Sequence, residues 1–149
     1  MSNPDFDKKS VKTNNGEIFD FSNLKFKERP TVVFLHGLSS NHTTWINLME
    51  ILDENNYNSL ALDMRGHGFS DKTKNKNLYK FDVFSNDLKA VLEKEGIGKF
   101  VLVGYSFGGQ IAIDFAARYP GFITGLVLIS VNQENQRPMN AFESIFGRS

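Results

Sequence analysis

The chain has 149 residues, which is room for one domain with a real hydrophobic core. Hydrophobic residues make up 40% and charged residues 23%, the balance of an ordinary soluble globular chain, and no apolar run approaches transmembrane length. Net charge is zero and cysteine is absent, so no global field draws nucleic acid or membrane, and disulfide or thiolate chemistry is closed.

The opening, Met1-Ser2-Asn3-Pro4-Asp5, lacks the charged start and apolar stretch of a signal peptide, which with the missing cysteines fits the cytoplasm. Val11 to Phe21 reads as a hairpin around Asn14-Asn15-Gly16, because Asn-Gly suits a tight turn. Thr31-Val32-Val33-Phe34-Leu35 is a compact apolar strand that ends in His36-Gly37. Trp45, Leu48, Met49 and Leu52 recur at helical spacing after the polar start Ser39-Ser40-Asn41. Ser59 to Leu62 is a short buried strand, and Val83, Phe84, Leu88, Val91 and Leu92 form a helical stripe closed by Gly96. Phe100 to Val103 is the next strand, and the helix after it stops at Tyr119-Pro120. Leu126 to Ile129 is the last buried strand. Apolar strands alternating with amphipathic helices predict an α/β fold: a mostly parallel sheet with helices on both faces.

Gly104-Tyr105-Ser106-Phe107-Gly108 carries the most chemistry. It joins an apolar strand to a helix and sets one serine at the apex, the context in which G-x-S-x-G makes a nucleophile elbow. The glycines leave room for a turn too tight for side chains, and the helix start offers backbone N–H groups to a developing oxyanion. Two further motifs follow strands, His36-Gly37-Leu38 and Asp63-Met64-Arg65-Gly66-His67-Gly68-Phe69-Ser70. In parallel sheets sites lie at the carboxyl ends of strands, so all three should meet on one face.

The HG turn, the D-x-R-G-x-G-x-S loop and the G-x-S-x-G-G elbow, in that order over residues 11–131, resemble the α/β-hydrolase superfamily, and within it the serine hydrolases. The resemblance implies Ser106 as nucleophile, with the backbone N–H groups of Leu38 and Phe107 as the oxyanion hole. It gives Asp63, Arg65, Gly66, Gly68 and Ser70 to a buttressing loop, Arg65 tying loops together rather than touching substrate. His36 then holds loops, His67 is a loop residue, and His42 near a helix start is expected to be exposed. Ser106 in place of an aspartate argues against dehalogenase or epoxide-hydrolase chemistry, which in this fold uses a carboxylate nucleophile.

A serine hydroxyl needs a base, and the base an orienting acid. The family order is serine, acid, histidine. Here His36, His42 and His67 all precede Ser106. Asp114 lies on the helix after the elbow, facing away, and Glu134 is the one local candidate acid, although a polar loop glutamate is usually just solvated. By comparison with the family, the last two strands and the bulk of a lid are missing. Residues 1–149 then form a single partial domain, with 132–149 the start of a lid or a truncated tail. Phe142, Ile145 and Phe146 there begin a helical stripe with nothing to pack on. The expected activity is hydrolysis of ester or related acyl bonds through a Ser106 acyl-enzyme, impaired in this chain. The alternative is a catalytically silent hydrolase-fold fragment or interaction module. No metal or nucleotide cofactor is implied, since neither H-E-x-x-H nor a Walker pattern occurs. Lys72-Thr73-Lys74-Asn75-Lys76 reads as a solvated linker, with anionic substrates or surfaces the other reading. Expected partners are a small acyl substrate and, through the sheet edge left open at 126–130, a second copy of the chain.

Overall fold

A computed structural model of the protein describes residues 6–131 together with 142, 143, 146 and 147. Strand β1 (Asp7–Thr13) and strand β2 (Gly16–Asn23) form the hairpin, longer at both ends than the sequence signal. They close with Thr13 opposite Gly16, and the Thr13 hydroxyl donates to the Gly16 carbonyl at 2.9 Å. Then come β3 (Thr31–Leu35), helix α1 (Ile46–Glu54), β4 (Asn58–Leu62), helix α2 (Phe81–Glu95), β5 (Phe100–Tyr105), helix α3 (Phe107–Arg118) and β6 (Ile123–Ile129). All four strands expected from the apolar runs are strands.

The six strands lie in the order β1-β2-β4-β3-β5-β6. From β4 to β6 every pairing is parallel, while β2 joins β4 antiparallel, with Asp20 opposite Leu62. The helices divide between the faces. Helices α2 and α3 bring Phe84, Leu88, Phe107 and Phe115 onto Val33, Leu35, Leu60 and Leu102. Helix α1 and the single 3-10 turn before it bring Met49 and Trp45 onto Phe34, Ala61 and Val103, and Trp45 stacks on Phe34 at 4.7 Å. Alternation along each strand makes this possible, since neighbouring residues face opposite sides. Leu48 departs from its expected place and is exposed. The stripe that meets the sheet runs through Trp45, Met49 and Leu52, and Leu48 falls at its margin.

Beyond β6 the tail is not idle. Phe142 is buried and sets its ring edge-on to Tyr79 at 5.4 Å, with Phe146 behind it at 4.9 Å. The expectation that this stripe packs on nothing is therefore corrected: Tyr79, fully buried between the two halves of the sequence, supplies the surface. Ile145 and Glu134 lie outside the described residues.

Candidate active site

Strand β5 runs into α3 with no loop, and Ser106 takes the whole reversal on its own backbone, at φ 54° and ψ −118°. A non-glycine residue at positive φ of this kind costs about 1–3 kcal/mol and persists only where its surroundings fix it. Here the Ser106 N–H donates to the Ile129 carbonyl at 2.9 Å, and the Ser106 carbonyl accepts from Gly109 at 2.9 Å. The flanking glycines are required by close approach. A Cβ on Gly104 would stand 2.6 Å from the Gly108 carbonyl oxygen. One on Gly108 would stand 2.4 Å from the carbonyl oxygens of both Leu35 and His36. The elbow thus presses directly on the end of β3.

That contact sets the HG turn against the serine. A Cβ built on Gly37 would lie 3.5 Å from Ser106 Cβ and 3.1 Å from the Tyr105 ring. Leu38 follows, half-buried against the α2–α3 core, and its N–H has no backbone acceptor among the described residues. Phe107 is the first residue of α3, where a helix has no internal acceptor for the N–H.

The third motif forms a rigid brace. Asp63, fully buried at the end of β4, accepts from the His42 N–H at 2.7 Å, the His42 ring Nδ1–H at 2.9 Å and the Phe69 N–H at 3.0 Å. The Ser70 hydroxyl donates to the Asp63 carbonyl at 2.6 Å and accepts from the Phe19 N–H at 2.9 Å. Arg65 is wholly buried and grips Asp87 of α2 with two bonds, at 3.0 and 2.8 Å, while its other amino group reaches the Asn15 carbonyl in the hairpin. One guanidinium therefore ties loop, helix and hairpin together, the tying role the sequence suggested for it. Burial raises Asp87 against the lowering pull of the Arg65 hydrogen bonds and charge, and leaves it at about 6.

The profile of the family described as alpha/beta hydrolase fold matches residues 30–148 of this chain. The chain belongs to the α/β-hydrolase fold family. It is similar to epoxide hydrolase 4 of Mus musculus, 37% identical over 103 residues that cover 68% of this chain and 28% of the mouse protein. Among solved structures it resembles a membrane phospholipase A, described as a bacterial virulence factor, at 28% identity and TM-score 0.77, covering 85% of this chain and 40% of that one. It shares its fold with epoxide hydrolase VrEH1 from Vigna radiata, at 23% identity and TM-score 0.80, covering 98% of this chain and 48% of that one. The chain spans between 26 and 35% of the length of such curated relatives.

Within this α/β-hydrolase fold each histidine has a defined place. His36 is completely buried: its Nδ1–H donates to the Gly37 carbonyl at 2.7 Å, and Nε2 accepts from the Met64 N–H at 3.0 Å. Both ring nitrogens are engaged, which fixes the neutral tautomer and bolts the HG turn to the Asp63 loop. Burial pushes His36 down to about 3, and the neighbouring ring of His67, 4.8 Å away, pushes the same way. His67 is also buried and lowered by burial. It bonds the Arg65 carbonyl through Nδ1 at 3.0 Å, and its Nε2 meets no hydrogen-bond partner among the described residues. His42 corrects the sequence reading. It is buried rather than exposed, because Asp63 holds its ring from one side and Phe21 stacks on it at 3.4 Å. Asp114 is engaged by the Ser85 hydroxyl and by Arg118, both at 2.6 Å.

Sequence reasoning missed Asp87. A carboxylate on the buried stripe Phe84–Leu88–Val91 of an amphipathic helix was the available signal, since a buried charge needs a partner. Among the described residues no group of three or more His, Asp or Glu side chains could hold a metal ion, and no helix is long and apolar enough to cross a membrane.

Proposed function

We propose that the chain carries the nucleophile and oxyanion elements of a serine hydrolase acting on ester or related acyl bonds. The observation that supports this most is Ser106 itself, lifted at positive φ on the strand-to-helix turn with the amide end of α3 behind it. In this reading Ser106 Oγ attacks the acyl carbonyl, and the hydroxyl proton passes to a base. The carbonyl oxygen, now negative, is held by the N–H groups of Phe107 and Leu38. Collapse of the tetrahedral adduct expels the alcohol, which takes up the proton, and leaves an acyl ester on Ser106. Water then attacks that ester and releases the acid. The donors count because they are fixed before the charge develops, and each is worth about 2.7–4 kcal/mol of barrier in comparable sites.

Several relatives are named epoxide hydrolases. In this fold that chemistry uses a carboxylate at the apex. A serine there favours acyl transfer, in line with the likeness to a phospholipase A. The base is a different matter. His36 has both nitrogens engaged and cannot take the Ser106 proton, whereas His42 and His67 use only Nδ1, on Asp63 and on the Arg65 carbonyl. The second reading, a hydrolase-fold body whose own catalysis is weak or silent, therefore stands unless the Nε2 of His42 or His67 serves Ser106. Glu134, the candidate acid, is assigned no geometry.

The test is covalent. A fluorophosphonate or an activated acyl ester is expected to modify Ser106 in preference to every other serine, as mapped by mass spectrometry, and Ser106→Ala to remove the adduct. Turnover of the ester should be slow, because oxyanion stabilisation and binding without a base leave about 10³–10⁴-fold over water. Labelling spread over other serines would overturn the assignment. Fast turnover lost on Ser106→Ala would instead prove a base within the chain, with His42 the first to replace.

A further inference from the structure

The pair Asn-Gly occurs once in this chain, at Asn15-Gly16, where the hairpin turns from β1 to β2. Asparagine before glycine is where a peptide chain attacks itself most readily. The following backbone nitrogen reaches the side-chain amide carbon through a five-membered ring, and glycine puts no side chain in the way. The glycine is required here, since Gly16 stands at φ 124° and a Cβ on it would lie 2.7 Å from an Asp71 carboxylate oxygen. Asn15 is exposed, and its carboxamide has no hydrogen-bond partner among the described residues. The carboxamides of Asn41, Asn55, Asn58 and Asn75, by contrast, are each bonded to backbone.

A buried charge rests on the backbone of this turn. Arg65 gives Nε and Nη2 to Asp87, and its remaining nitrogen, Nη1, donates to the Asn15 carbonyl. That carbonyl and the Gly16 N–H belong to one peptide group. When the Gly16 nitrogen loses its proton, amide resonance places much of the negative charge on the Asn15 oxygen, where the wholly buried guanidinium already stands. The bond therefore raises the share of Gly16 nitrogen in its attacking form. The same cation polarises the Asn15 carbonyl toward attack by water.

We infer that Asn15 is a self-modification site, at which Arg65 promotes deamidation and directs it to isoaspartate. The Gly16 nitrogen, its proton passed to solvent, bonds to Asn15 Cγ. The Cγ–Nδ2 bond breaks, and ammonia leaves with a proton from solvent. The cyclic imide so formed holds the Gly16 nitrogen between two carbonyls. Water adds to the former backbone carbonyl, beside Arg65. The bond from that carbon to the Gly16 nitrogen then breaks, and the nitrogen takes back a proton. The old backbone carbon is now a free carboxylate, and the chain runs on through Cγ to Gly16. Water adding at Cγ instead gives ordinary aspartate. The isoaspartate carboxylate forms on the carbon whose oxygen Arg65 already grips, so it has a charged partner as it appears. The exchange consumes water and releases ammonia, with no other reactant. It does not depend on the chemistry proposed for Ser106.

Ageing the unmodified chain at neutral and mildly alkaline pH, followed by digestion and mass spectrometry with electron-transfer fragmentation, tests this. A synthetic peptide of residues 11–19, which has the Asn-Gly pair and no Arg65, is the reference. Asn15 is expected to convert ahead of every other asparagine, with a ratio of isoaspartate to aspartate several-fold higher in the chain than in the peptide. In the double variant Arg65→Met with Asp87→Leu, checked for folding by circular dichroism, conversion should slow several-fold and the ratio should fall to that of the peptide. Asn15→Gln, whose longer side chain would need a six-membered ring, should leave position 15 unmodified. Asn15 intact while another asparagine converts would overturn the proposal. So would a product ratio in the chain no higher than in the peptide.

Discussion

Gly108 shows how little space the elbow has. A methyl group there meets two carbonyl oxygens at 2.4 Å, and both belong to backbone, which cannot swing aside as a side chain would. Gly108→Ala is therefore expected to push α3 off β3, at a cost of roughly 3 kcal/mol or more in the stability measured by urea unfolding. Gly98 is the control, because nothing lies within 4 Å of its Cβ position. Gly98→Ala should be neutral or stabilise by about 0.5 kcal/mol, through the lost freedom of the unfolded chain. Equal effects at the two sites would show that the elbow is not as tightly packed as described. Ser106 sits in the same frame: its backbone is bonded to β6 through Ile129 and to α3 through Gly109, so the serine is aimed by two elements at once.

Between elements, Arg65 pairs with Asp87. Both side chains are almost wholly withdrawn from water, at 0 and 5% exposure, and they join the loop after β4 to α2. A buried pair is not itself strongly stabilising, but removing one member strands the other. Arg65→Met should cost about 3–5 kcal/mol, because Asp87 is left buried and unpaired and the Asn15 carbonyl loses its donor. Arg65→Met with Asp87→Leu should recover much of that loss, and a double-mutant cycle from denaturant unfolding measures the difference. If the double variant is as unstable as the single one, the pair is not what Arg65 contributes. Exposed pairs such as Lys89 with Glu93 should contribute little by the same measurement.

At the scale of the whole molecule two buried groups oppose each other across the acid range. Asp20, on β2, is fully buried, and neither of its oxygens has an N–H or O–H donor among the described residues. Burial, with the Glu95 carboxylate beside it, pushes it up to about 7, while Lys94 and Lys9 pull the other way. The folded chain then holds a proton on Asp20 that the unfolded chain has released, so this group's contribution to stability falls as pH rises from about 4 to 7. His36 works in reverse. Its folded value of about 3 lies below the ordinary 6.5, so stability is lost as pH falls from 6.5 toward 3. Asp87, raised to about 6, adds to the slope of Asp20, and His67, lowered by burial, adds to that of His36, so the opposing slopes of about 1.4 kcal/mol per pH unit each largely cancel between about pH 4 and 6. The chain should therefore show a shallow pH dependence there. Asp20→Asn should raise stability by a few kcal/mol at pH 7, leave it unchanged near pH 4, and expose the loss on acidification that His36 causes. Thermal or urea unfolding across pH reads this directly, and an Asp20→Asn gain that is the same at pH 4 and pH 7 would rule it out.

The parts of this protein that the sequence determined alone are those made of near neighbours. An apolar run such as Thr31–Leu35 needs only its own side chains to be recognised as a strand, and the elbow needs only a strand, two glycines, a serine and a helix in succession. Tertiary structure decided whatever joins residues far apart. It placed β4 between β2 and β3, set α1 alone on one face and α2 with α3 on the other, and buried His42 against Asp63 and Phe21. It brought Asp87 to Arg65, Glu95 to Asp20, and Phe142 to Tyr79. The physical reason is one of range. Periodicity records that a side chain must leave water, because burial is favourable whatever the neighbour. A polar or charged side chain can leave water only beside a particular partner, and which partner it meets is settled by the order of the strands.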